Sequence, residues 1–140
     1  VVLDEVEIPH NIGAIIRTCA ALGVDGIVIV DDGFALLDRR LRRASLGYAE
    51  SVPVIRVDNL EEFLAHLKES GIWLLTTSGD GNADPLDYED GAKRLALVFG
   101  SETTGLSNLA LEPADQRIRI PMNGDVRSLN VSVAVGLLLY

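Results

Sequence analysis

The sequence of 140 residues holds one cysteine, Cys19, and two histidines, His10 and His66. One thiol cannot close an internal disulfide, and these scattered side chains offer no metal-ligand spacing, so no metal site is expected. No apolar run approaches the ~20 residues that span a membrane, and no charged, apolar and small-residue series marks a secretion signal. Together these absences make a cytoplasmic protein the expectation. Dinucleotide and nucleotide signatures are missing too. Gly79 and Gly81 in GDGNAD have no third glycine at the required place and no Walker A sequence exists, which argues against NAD and ATP. Basic residues are scarce: 12 Lys and Arg stand against 21 Asp and Glu, a net charge of −9. That balance runs against a nucleic-acid surface, which gains most of its affinity by neutralising phosphates. Four of the 12 basic residues, Arg39, Arg40, Arg42 and Arg43, are concentrated in RRLRRAS, where a solvated helix face is the plain explanation.

What is present fits one α/β domain. At 48% hydrophobic and 24% charged residues the chain can bury most of its apolar surface, and it contains no internal repeat. Residues 1–6 read as a first strand. Ile12, Ile15, Ile16, Cys19 and Ala20 recur at helical spacing and place Cys19 on an apolar stripe as inert core. Residues 26–30 form a buried strand, 36–44 a short helix, and 54–57 a further strand. Leu60, Phe63, Leu64 and Leu67 mark the next helix, opened by an Asn59–Glu62 capping box and closed by Gly71. Residues 73–76, 95–99 and 116–120 read as three more strands, and the polar stretch 78–91 is the longest loop. Such alternation predicts a mainly parallel sheet with helices on both faces. The chain starts on Val1 and stops inside an apolar helix at Tyr140, so residues 1–140 are expected to be a domain clipped at both ends.

In sheets of this kind ligands bind outside the carboxyl ends of the strands. Three strands run directly into Gly, Ser or Thr, in LLTTSGDGN, LVFGSETTG and IRIPMNG, and their convergence would build one pocket. Gly100 lets a ligand approach the backbone, while Thr76, Ile120 and Leu129 offer main-chain groups to an adenine or an amino acid. After Pro121 ends the last strand, Ser128 and Asn130 fall at the start of a helix marked by Val131, Val135, Leu138 and Leu139. A capping serine and a loop asparagine account for that pattern equally well. Arg17 falls off the apolar stripe of its helix, as a solvated arginine does, and Glu102 fits a helix-start acid favoured by the dipole. Asp31 and Asp32 after IVIV are similar to the acidic pocket of receiver domains, an alternative that would make this a phosphoryl-accepting signalling module. Against it, the only lysines are Lys68 and Lys93, so none follows the last strands.

Three segments carry a resemblance. VEIPHNIGAIIRTCAALGVDGIVIV (6–30), LVFGSETTGLS (97–107) and IPMNGDVRSLNVSVA (120–134) resemble the three ordered motifs of the SpoU, or TrmH, family of RNA ribose 2'-O-methyltransferases, and the likeness covers nearly the whole chain. The resemblance implies a knotted α/β fold of the SPOUT superfamily, with a C-terminal trefoil knot that no periodicity reveals. It implies S-adenosylmethionine as methyl donor, a tRNA or rRNA nucleotide as substrate, and a homodimer with its active sites near the subunit interface. In that reading Arg17 binds a phosphate beside the target ribose and helps activate its 2'-hydroxyl. Asn11 orients the neighbourhood, Glu102 orders the active-site loops, and Ser128 and Asn130 complete the site beside the donor. Thr76, Gly100, Ile120 and Leu129 match the donor-binding strand ends. Met122, Leu137 and Tyr140 become candidate interface residues. Many members of the family carry a separate N-terminal RNA-binding domain, absent from this stretch, which would leave an acidic catalytic core. A catalytically silent RNA-binding relative of the same fold is the remaining alternative.

Overall fold

The computed structural model describes residues 1–30, 43–84 and 94–140. Six strands form one sheet: β1 (Val2–Asp4), β2 (Ile27–Val30), β3 (Val54–Val57), β4 (Trp73–Thr77), β5 (Leu95–Gly100) and β6 (Gln116–Ile118). All pairings are parallel and the order across the sheet is β3-β2-β1-β5-β4-β6. Successive side chains leave a strand on opposite faces, so each strand feeds two cores. Leu3, Ile27, Ile29, Leu75, Leu97 and Phe99 pack on one side with α1 (Pro9–Leu22) and α4 (Val131–Leu139). Val2, Val28, Leu74, Ala96 and Val98 pack on the other with α2 (Leu60–Glu69) and α3 (Asn108–Leu111). Covering both faces is what makes runs such as IVIV continuously apolar.

The predicted elements recur with small shifts at their ends. Residues 54–57 match β3, and the Asn59 side chain caps α2 by accepting from the Glu62 backbone N–H at 3.1 Å. Gly71, at φ +73°, takes the left-handed turn that follows that helix. β6 ends at Ile118, two residues short of the predicted 120. The Ser78 N–H, donating to Ile118 O at 3.0 Å, makes the last bond from β4; beyond it the Arg119 N–H faces the outer edge of β6 and donates to Ala83 O at 3.0 Å. Residues 36–42 of the predicted helix, the pair Asp31–Asp32, Arg39, Arg40, Arg42 and the second half of the 78–91 loop lie outside the described residues, while Arg43 and Ala44, the end of that predicted helix, are helical. Arg43 is exposed. α3 and a 3-10 turn at Tyr48–Glu50 are additional to the sequence reading, being too short to show a periodicity.

Strand order places a crevice where the site should be. β1 and β5 are neighbours, yet α1, which follows β1, packs on one face, whereas α3, which follows β5, packs on the other. The connections therefore diverge at the carboxyl ends of these two strands, the position at which open parallel sheets bind ligands.

Candidate active site

Two buried polar side chains mark this crevice. Asp4, 2% exposed at the end of β1, accepts from the backbone N–H and the hydroxyl of Ser107, at 2.9 and 2.8 Å. This satisfies an otherwise costly buried carboxylate and ties the loop after β5 back to β1. The chain leaves β1 through Glu5 at φ +55°, a left-handed conformation that a non-glycine residue adopts only when its surroundings hold it there. Sequence reasoning passed over Asp4, although a single acid at the end of the apolar run VVL was a signal.

Asn11 is the second, 4% exposed in the first turn of α1. Its Nδ2 donates to Oε1 of Glu102, and its Oδ1 accepts from Nδ2 of Asn130 at 3.1 Å. Asn130 is the N-cap of α4: its Oδ1 accepts from the Ser132 backbone N–H at 2.9 Å and from the Ser132 hydroxyl at 2.6 Å. Asn11, Glu102 and Asn130, singled out from three separate segments, thus form one hydrogen-bonded relay running from the loop after β5 across α1 to the start of α4.

Beside the relay lies a cavity of about 340 Å³. Thr77, Ser78 and Gly79 after β4, Ile118, Arg119, Ile120 and Met122 after β6, Val126 to Leu129 ahead of α4, and Ala134 on α4 make its wall. Ile120, Ser128 and Leu129 were expected here and line it. Thr76 does not: it is fully buried within β4, its hydroxyl 3.5 Å from the Gln116 carbonyl, and the next residue, Thr77, reaches the cavity instead. Gly100 is absent from the wall as well. A Cβ at Gly100 would stand 2.2 Å from the carbonyl carbon of Gly105 and 2.3 Å from N of Leu106, so the loop after β5 packs directly against the Cβ side of Gly100. β4 and β6 therefore build the cavity, while β5 sends Glu102 into the relay. Arg17 is exposed on α1, lines no part of the cavity and has no side-chain partner among the described residues. Thr77, Arg119, Val126 and Arg127 were not expected in the wall; their signal was adjacency to the strand ends and loop residues already chosen. Ser78 donates its hydroxyl to Asp80, and this bond, followed by Asp80's own backbone N–H, holds that exposed carboxyl below its usual range. Among the described residues no group of three or more His, Cys, Asp or Glu side chains could hold a metal ion.

The sequence matches the model of the SpoU rRNA Methylase family over residues 1–140. The chain belongs to that family. It is 47% identical, over 100% of its length and 52% of the relative's, to a 23S rRNA (adenosine(1067)-2'-O)-methyltransferase of Streptomyces azureus. Among solved structures, an AdoMet-bound rRNA methyltransferase from Sinorhizobium meliloti superposes with a TM-score of 0.92 at 32% identity, covering 99% of this chain and 52% of that one. A TrmH/SpoU tRNA modifying enzyme of A. aeolicus superposes with a TM-score of 0.88 at 34% identity, over 99% and 70% of the two chains. The chain spans about half the length of the curated relatives it matches. SpoU membership confirms the resemblance read from the three motifs and leaves the receiver-like alternative without support.

Proposed function

We propose that this chain is the catalytic domain of an S-adenosylmethionine-dependent methyltransferase acting on the ribose 2'-hydroxyl of a tRNA or rRNA nucleotide. The observation that carries the reading is the Asn11–Glu102–Asn130 relay, which ties the family's three motifs together next to a cavity lined by Ser128 and Leu129. Relatives named as rRNA 2'-O-methyltransferase and as AdoMet-bound rRNA methyltransferase support both the reaction and the donor.

The cavity suits the donor on its own terms. Its volume of about 340 Å³ is of ligand-pocket size. Ile118, Ile120, Met122, Val126, Leu129 and Ala134 give it an apolar wall, while Thr77, Ser78 and Ser128 add hydroxyls. When bound, the donor supplies an electrophilic methyl group on a sulfonium. The protein's task is then to align the hydroxyl with that group and help remove one proton. Ile120 and Leu129 hold the donor, with Gly100 and Thr76 shaping the strand ends behind it. Arg17 takes a phosphate next to the target ribose and favours loss of the hydroxyl proton. Asn11 and Glu102 fix the loops, and Ser128 and Asn130 complete the wall on the methyl side.

The trefoil knot and the homodimer belong to this proposal. Leu137 (56% exposed), Val133 and Tyr140 present an apolar strip on α4, and Met122 is partly exposed nearby in sequence. A second copy covering that strip could also supply the Arg17 that the cavity of one chain lacks. No helix among the described residues is long and apolar enough to cross a membrane, in keeping with a cytoplasmic enzyme.

The decisive measurement is tritiated methyl transfer to bulk tRNA and rRNA, with the product checked for resistance to alkaline cleavage at the modified nucleotide. A ribose methyl blocks that cleavage and a base methyl does not. Label on a base, or binding of neither S-adenosylmethionine nor S-adenosylhomocysteine by calorimetry, would overturn the reading. Light scattering should return about twice the 15.1 kDa chain mass; a monomer at micromolar concentration would remove the dimer.

A further inference from the structure

We propose that Arg119 and Arg127 form an anion-reading pair at the mouth of the donor cavity and take phosphate groups of the RNA strand that carries the target ribose. The inference rests on the methyl-transfer reading above and adds two residues to its substrate side.

Composition sets the expectation against such a pair. With 21 acidic and 12 basic residues, a wall assembled without regard to charge would carry acid. This wall carries two guanidinium groups and no carboxylate. Both arginines are exposed, and among the described residues neither has an ion pair or a side-chain hydrogen bond. Other arginines here do find partners: Arg56 bonds Asp58 at 2.7 Å, and Arg117 donates to the Leu111 carbonyl at 3.0 Å. The backbone of Arg119 is also held in place from behind. The Arg119 backbone N–H is bonded to Ala83, and Arg127 stands three residues ahead of the Asn130 cap.

The donor itself does not explain them. It bears a sulfonium, an ammonium and one carboxylate, so its net charge is positive and two guanidinium groups oppose its approach. The hydroxyl that receives the methyl group must enter through the cavity mouth, and the phosphates flanking that ribose pass the same place. A planar guanidinium with several N–H donors is suited to phosphate.

The test uses a fluorescent single-stranded oligouridylate as probe, titrated over a salt series with the wild type, Arg119→Gln, Arg127→Gln and Arg56→Gln. The last removes the same charge from β3, at the opposite edge of the sheet. For each phosphate that a variant no longer neutralises, the slope of log K against log salt should fall by about 0.7 in Arg119→Gln and Arg127→Gln. It should not change in Arg56→Gln, and affinity for S-adenosylhomocysteine should stay as in the wild type. Unchanged slopes, or no oligouridylate binding by the wild type at low salt, overturn the proposal. So does a loss of S-adenosylhomocysteine affinity with 5'-methylthioadenosine affinity intact, because the arginines would then read the donor's carboxylate. A wild type that binds RNA but no sulfur ligand would instead sink the methyl-transfer reading.

Discussion

Oδ1 of Asn11 accepts a hydrogen bond from Nδ2 of Asn130 at 3.1 Å, across 119 positions of sequence. The direction of this bond is forced. Asn130 must turn its oxygen to the Ser132 N–H, which leaves its NH₂ facing Asn11. Asn11 must then present its oxygen to Asn130 and its own NH₂ to Glu102, which as a carboxylate can only accept. A backbone N–H in the first turn of α4 thus orients side chains on α1 and after β5. Asn11→Ala should leave two polar groups without partners and lower stability by about 1–3 kcal/mol. In a denaturation double-mutant cycle Asn11→Ala and Asn130→Ala should be non-additive by ~0.5–3 kcal/mol. Strict additivity would mean that the bond contributes nothing.

Much of this was legible beforehand, for identifiable reasons. α1 and α2 announce themselves because one-sided burial imposes a helical period on apolar residues, reinforced at α2 by the Asn59 cap, and β2 does so as an unbroken apolar run. The relay's members were legible one by one, as positions of the three motifs that carry the family resemblance. Their hydrogen bonds were not, because proximity of residues 11, 102 and 130 depends on strand order, which periodicity does not encode. Thr76 shows the same limit at finer grain. Thr76 was chosen for its main-chain groups, and alternation along β4 turns its side chain into the interior while that of Thr77 reaches the cavity. For Gly100 the sequence reading had the need for a small residue but not its cause.

That cause makes a separate prediction. Gly100→Ala places a methyl group against the backbone of Gly105 and Leu106, so the loop carrying Glu102 must move. Thermal unfolding should show a loss of about 1–3 kcal/mol, accompanied by loss of methyl transfer. Gly79→Ala, with nothing within 4 Å of the added carbon, is the matched control on the cavity side. Equal stability of the two variants would contradict the packing described here.

Arg17→Ala should separate chemistry from donor binding. Its side chain lies outside the cavity wall, so donor affinity measured by calorimetry should stay within a few fold. Single-turnover methyl transfer should fall roughly 10²-fold or more, the scale of positioned alignment and proton-transfer groups. Full activity would remove Arg17 from the mechanism.

Cys19 offers a pH-dependent readout of the core. Burial pushes its thiol from the ordinary 9.0 up to about 11. In the folded protein the thiol keeps its proton where the unfolded chain has lost it. The corresponding stability is therefore present below pH 9.0 and lost as pH rises toward about 11. Native protein at pH 8 should resist a thiol-reactive disulfide reagent until denaturant is added. Cys19→Ala should flatten the alkaline fall in melting temperature over that window. Rapid native labelling would place the thiol at the surface.

The hydrogen bonds that define the crevice join positions 91, 103 and 119 apart in the chain. Closures this long are the slow kind, since their entropy must be lost before the interactions they bring can form. No short stretch of the polypeptide contains the crevice, and a nascent chain that has not yet completed α4 cannot form the Asn11–Asn130 bond. Under the proposed function, catalytic competence is thereby coupled to completion of the fold: during refolding, helical signal should return first and methyl transfer last.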